Sequence, residues 1–172
     1  MNFEFRKTQL KIPADPSFTL TDYNLISNPQ STLWNVLHDG TVESISGSVP
    51  GEIQLNIGIE YLRSQFPLPG EYFRVNLHEC TQFAYREYGS EEWIEELDVI
   101  NFAQPDILCA EMQENDCIVS GGQGVFKFVA RRQSIGVLDE AGKVREISLE
   151  DLMQVATDYW EAWEKQNKES LE

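Results

Sequence analysis

From Glu52 to Tyr61 the chain alternates without a break. Ile53, Leu55, Ile57, Ile59 and Tyr61 fall on one side of an extended backbone, with Glu52, Gln54, Asn56, Gly58 and Glu60 on the other. A period of two over ten residues predicts a strand with one face in a core and one face in water. Just upstream, residues 41–46 carry Val42 and Ile45 out of strict phase, which predicts a bulge or an end twist in the partner strand. Between the two runs lies Ser48-Val49-Pro50-Gly51. Proline there presets φ and glycine permits a positive φ, so a hairpin is expected over 41–61.

Most of the chain reads at the same period. Phe66-Pro67-Leu68-Pro69-Gly70 interrupts it, because neither proline can donate to a ladder. Residues 71–77 alternate again, and the aromatic-rich 81–88 continues the sheet. Residues 106–112, 117–120, 124–131, 134–138 and 143–147 read as further strands. Residues 90–97 read either way: Ser90 is placed to cap a short helix holding Glu91, Glu92 and Trp93. Ser148-Leu149-Glu150-Asp151 opens a helix as a capping-box variant. Leu149, Leu152, Val155, Ala156, Tyr159, Trp160 and Trp163 then recur at helical spacing, with Lys165 and Lys168 in the last turn. This helix is expected to lay its aromatic stripe across the sheet. The fold class predicted is α+β, a mainly antiparallel twisted sheet or partly closed barrel with a C-terminal amphipathic helix. One domain is expected over 1–172. It comprises an irregular flank over 1–32 with short edge strands at 3–11 and 18–26, a β-rich body over 33–147, and the helix over 148–167.

Charge narrows the partners. The formal charge is −16, and residues 87–172 hold 20 acids and 7 bases against 9 and 6 in residues 1–86. Between Glu87 and Asp116 lie ten carboxylates and no Lys or Arg: Glu87, Glu91, Glu92, Glu95, Glu96, Asp98, Asp106, Glu111, Glu114 and Asp116. Such a field opposes phosphate backbones and anionic lipid surfaces, so neither nucleic acid nor membrane is expected as a ligand. A basic protein is the favoured partner, since opposite potentials speed encounter. Glu91, Glu92, Glu95, Glu96 and Asp98 are the candidate contact residues. The N-terminal Met-Asn-Phe-Glu-Phe-Arg-Lys has no apolar core of a leader, and no stretch is long and apolar enough to span a bilayer. Cys80, Cys109 and Cys117 cannot all pair within one chain, which points to reduced thiols and a cytoplasmic location.

Motifs for catalysis are sparse. The histidine sites are His38-Asp39 and His78-Glu79-Cys80. Adjacent residues on a strand face opposite ways, so sequence neighbours make no dyad, whereas His78 and Cys80 share a face if the strand runs through them unbroken. No pair has the bite of a zinc knuckle, no Asp-x-Asp-x-Asp-Gly loop occurs, and no metal or cofactor is expected. Gly121-Gly122-Gln123-Gly124 is followed by Val125-Phe126-Lys127-Phe128, a strand pattern, so it reads as a turn rather than a phosphate loop. Two alternatives to a non-catalytic binder follow. One is a small-molecule-binding barrel, with Gly121, Gly122, Gly124 and Phe126 at its rim and Phe83, Tyr85 and Phe128 lining it. The other is a cysteine- or carboxylate-dependent hydrolase, which needs His38 or His78 beside Cys80 or an acid.

The stretch Leu33-Trp34-Asn35-Val36-Leu37-His38-Asp39-Gly40-Thr41-Val42-Glu43-Ser44-Ile45, followed by the alternating strand, resembles the opening of several small uncharacterised bacterial domains. In those a Leu-His-Asp-(Gly/Ala) step leads into a first hairpin, and some are putative immunity proteins. The resemblance spans about 30 residues and implies a β-rich binder without catalysis. It transfers no functional residue.

Overall fold

In the computed structural model, which describes residues 28–170, the alternating segment is the second strand of a hairpin. β1 (Thr41–Gly47) pairs antiparallel with β2 (Gly51–Gly58), and the register slips between Val42 and Ser44, where the apolar phase breaks. Gly47 has φ 120°, and a Cβ there would run into the Glu52 carbonyl, so the turn accepts only glycine. The strand ends at Gly58, sooner than the alternation does. Glu60–Arg63 forms a single helical turn, α2, which draws Ile59 and Leu62 into the core and leaves Tyr61 half-buried.

β3 (Tyr72–Glu87) pairs with β2 and, along its whole length, with β6 (Gly124–Leu138). Two pairs of predicted strands therefore merge into two long ones. The far edge of β6 is shared by β5 (Asp116–Ser120) and β7 (Val144–Ile147), and β4 (Cys109–Gln113) lies outside β5. The result is a seven-stranded antiparallel sheet of order β1-β2-β3-β6-β5-β4, with β7 on β6. It is not closed into a barrel. The stretch leading into β4 nonetheless reaches β1 at one end: Val42 N–H donates to Pro105 O at 2.8 Å and Ile107 N–H to Gly40 O at 2.8 Å.

The apolar face of the sheet is covered by a helix that the sequence reading missed. α1 (Pro29–Val36) begins at Asn28, whose side chain accepts the Gln30 N–H at 2.8 Å, with Pro29 in the first turn. Residues 29–32, assigned above to an irregular flank, are this helix's opening turn; the edge strands expected at 3–11 and 18–26 lie outside the described residues. Ser31 and Thr32 are buried despite their polarity, because both hydroxyls donate to the Asn28 carbonyl. Trp34 is fully buried, edge-on to Phe126 and tilted against Phe128. Asn35 acts as a short piece of strand: its amide donates to Ala110 O at 3.0 Å and accepts the Ala110 N–H at 2.8 Å, satisfying β4 where no further strand among the described residues pairs with it. α4 (Leu149–Glu169) starts at Ser148, whose hydroxyl accepts the Asp151 N–H at 3.0 Å, as its capping sequence predicts. Leu152, Met153 and Ala156 enter the core, while Trp160 is half-buried and Trp163 exposed. No helix among the described residues is long and apolar enough to cross a membrane.

Candidate interaction surface

The acidic run divides into three parts. Asp106 is used internally, with both carboxylate oxygens accepting the Gly122 N–H at 2.9 and 2.8 Å. Glu111, Glu114 and Asp116 belong to the β4–β5 hairpin. The rest lies on one continuous segment that leaves the end of β3 and crosses to β1. Tyr88 O–H donates to Gly121 O at 2.9 Å, and Ile94 pairs back onto Tyr85 through two backbone bonds of 2.7 and 2.8 Å. Ser90 does accept the Glu92 N–H at 3.2 Å, but no helix follows, because Ile94 is committed to that extended pairing. The helix forms one step later, as α3 (Leu97–Ala103).

α3 is oriented by two inward groups. Ile100 is fully buried, and Asn101 Oδ1 accepts the Ile45 N–H of β1 at 2.7 Å. That orientation turns Val99 and Phe102, three apart on one helix face, out to solvent at 49% and 91% exposure. Tyr88 adds a second exposed ring at 46%. Glu87, Glu91, Glu92, Glu95, Glu96 and Asp98 are exposed around them. None of the ten carboxylates is ion-paired among the described residues. The neighbouring cations Arg86 and Lys127 instead sit over the Trp93 ring, 4.7 and 4.2 Å from its centroid. Exposed apolar side chains and carboxylates without ion pairs among the described residues thus share the 87–102 segment. Sequence reasoning named the carboxylates and missed Val99 and Phe102, since their exposure depends on a helix it placed one segment too early.

The other candidates fall elsewhere. Phe126 is buried against Trp34 and Phe83, and Phe83, Tyr85 and Phe128 are also in the core, so the space a barrel would give a ligand holds side chains. Gly121 and Gly122 pack against Asp106, and Gly124 against Tyr85, as a filled turn rather than an open rim. His78 and Cys80 do not share a face. Glu79, at φ 49°, inserts a bulge that reverses the phase, so Cys80 joins Leu77 in the core while His78 faces out beside Glu52. All three cysteines are buried, and Cys80 and Cys117 are free thiols. Burial pushes the Cys80 thiol up and the Cys117 thiol up to about 12, which removes the thiolate that nucleophilic attack requires. Among the described residues no group of three or more His, Cys, Asp or Glu side chains is arranged to hold a metal.

His38 is buried, stacked on Trp160 with centroids 5.6 Å apart, and its Nδ1 lies 3.0 Å from Asn35 O. Burial lowers its pKa below 6.5, with Asp39 and the Asn35 carbonyl opposing. A histidine whose folded pKa is depressed binds its proton more readily when unfolded, so stability falls as pH drops below about 6.5. Urea unfolding between about pH 7 and about pH 5 is expected to show that decline. His38→Gln should flatten it, and an unchanged slope in the variant would place the titration elsewhere.

Comparison with family models, curated proteins and solved structures finds no match to this chain.

Proposed function

We propose that this is a cytoplasmic binding protein of inhibitor or immunity type, which docks a basic protein through the 87–102 surface. The observation that carries the reading is Phe102, 91% exposed on a segment whose carboxylates make no ion pair among the described residues. Large exposed aromatics are the usual anchors of protein interfaces, and the charges around them set encounter rate and partner choice. The buried free thiols of Cys80 and Cys117 agree with a reducing compartment.

The test is capture from a lysate of the native source, comparing wild type with two variants. Reversal of Glu91, Glu92, Glu95 and Glu96 to Lys is expected to slow association by about tenfold or more at low ionic strength and to weaken its salt dependence. Phe102→Ala should instead speed dissociation while leaving the salt dependence intact. A partner whose on-rate is the same for the quadruple variant removes the acidic face from the interface.

A further inference from the structure

Opposite the core, the outward face of β2, β3 and β6 carries polar side chains joined across strands. Arg74 of β3 donates to Asn56 and Gln54 of β2 at 2.6 and 3.0 Å. One turn of the pleat further on, three residues far apart in sequence form a line. Ser134 Oγ lies 2.9 Å from His78 Nε2, and His78 Nδ1 lies 2.6 Å from Glu52 Oε2. The bulge at Glu79 matters here, because it takes the Glu79 N–H out of the β2–β3 ladder and aims it at Glu52 Oε1, 3.0 Å away. Glu79 is itself held by Arg131 at 2.9 Å. Glu52, His78, Glu79, Arg131 and Arg132 line an open groove of about 500 Å³, and Ser134 lines an adjoining cleft of about 410 Å³ that shares Arg131 and Arg132 with it.

We propose that Ser134 is a nucleophile toward small acyl esters, with His78 as its general base and Glu52 as the positioning residue. Hydroxyl, imidazole and carboxylate in that order, each within hydrogen-bond reach of the next, define such a relay by geometry rather than by order in the chain. Glu52 accepts the Nδ1–H, which leaves Nε2 with its lone pair toward Ser134. The Glu79 N–H, followed by His78, holds the Glu52 carboxyl below its usual range, so it stays ionised in that role. In the forward step the Ser134 Oγ–carbonyl carbon bond forms while the hydroxyl proton passes to His78 Nε2. The carbon–alkoxide bond then breaks, and the leaving group takes that proton as an alcohol. Water attacks the acyl-serine, gives a proton back to Nε2, and releases the acid with Ser134 restored. Ser134 is opposite Asn76 within the β3–β6 ladder, and Arg132 is opposite His78. β5 and β7 pair with β6 only over 125–128 and 135–138, and the charged donors lining the groove beside His78 are Arg131 and Arg132, of which Arg131 is held by Glu79. That favours acyl donors that carry an anionic group of their own.

The test uses a fluorophosphonate probe on the full chain, with intact-mass and peptide analysis. The phosphorus–oxygen bond forms at Ser134 as fluoride leaves. Labelling is expected at Ser134 alone, about a hundredfold faster in wild type than in His78→Ala and absent from Ser134→Ala. Its rate is followed across a pH series. Glu52→Gln, which keeps the contact and removes the charge, should slow labelling and displace that pH profile, an effect a purely structural role would not produce. Ser134→Ala leaves the core untouched, and circular dichroism confirms its fold; should it unfold, Glu52→Gln alone decides. Equal labelling in wild type and Ser134→Ala, or label spread over surface serines and tyrosines, overturns the assignment. Hydrolysis of 4-nitrophenyl acetate with the same ranking of variants supports it.

Discussion

Replacing Trp34 with alanine is expected to lower the unfolding free energy by roughly 3–5 kcal/mol. The indole is fully buried and lies 5.4 Å from the Phe126 ring and 5.7 Å from Phe128. Its Nε1–H donates to Gln133 Oε1 at 3.1 Å, and Gln133 in turn donates to the Gln30 carbonyl at the start of the same helix. Truncation therefore opens a void between α1 and the sheet and leaves the Gln133 oxygen without its donor. A domain of this size has roughly 5–15 kcal/mol in total, so the variant should be marginal at room temperature. Urea titration followed by far-ultraviolet circular dichroism measures the loss. Trp34→Phe keeps a ring but forfeits the N–H and part of the indole volume, with an expected loss of about 1–3 kcal/mol. A loss below about 1 kcal/mol for the alanine variant would mean that α1 is not integral to the core.

Arg63→Met is expected to be comparably severe, for an electrostatic reason. Arg63 is 3% exposed and has no carboxylate partner among the described residues. Its charge is met by four carbonyls. Nε donates to Tyr72 O at 3.0 Å, Nη1 to Leu68 O at 3.0 Å, and Nη2 to Pro69 O at 3.2 Å and Leu138 O at 3.0 Å. One planar fork thus fastens the proline-interrupted loop after α2 to the ends of β3 and β6. Burial lowers the guanidinium pKa, with Asp139 opposing, but an arginine starts so high that the group stays charged. Methionine fills similar volume and strands those oxygens, each orphaned buried acceptor costing roughly 1–3 kcal/mol. A total of roughly 3–5 kcal/mol is expected, because some of the oxygens will find water. Arg63→Lys should recover only part of the loss, since an ammonium cannot reach four acceptors in a fork. Faster amide exchange confined to residues 64–71 would locate the effect; stability within about 0.5 kcal/mol of wild type would contradict it.

What could be read from residue order was what local rules govern. The 41–61 hairpin, its bulge, and the Ser148-capped helix each follow from patterns within a dozen residues. α1 carried a local signature too, Asn28-Pro29 as cap and first position, but its polar opening turn masked it. Ser31 and Thr32 are buried only because the Asn28 carbonyl takes both hydroxyl protons. The bulge at Glu79 was invisible, since a non-glycine residue at positive φ leaves no compositional mark, and with it went the orientation of His78. Glu52, His78 and Ser134 meet through the register of β2, β3 and β6, which depends on pairing across the whole sheet. For the acidic surface, charge was legible and geometry was not. The exposure of Phe102 follows from Ile100 and Asn101 turning inward, a fact of packing against β1.

The most direct measurement of the docking surface is site-specific photo-crosslinking in the native host. A benzophenone amino acid replaces Phe102, and a second protein carries it at Gln65, an exposed position on the loop after α2. Position 102 is expected to yield a discrete adduct with a basic protein, lost when Glu91, Glu92, Glu95 and Glu96 are changed to Lys in the same chain. Adducts equally abundant from position 65, or unchanged by the four lysines, would show that this face meets no partner.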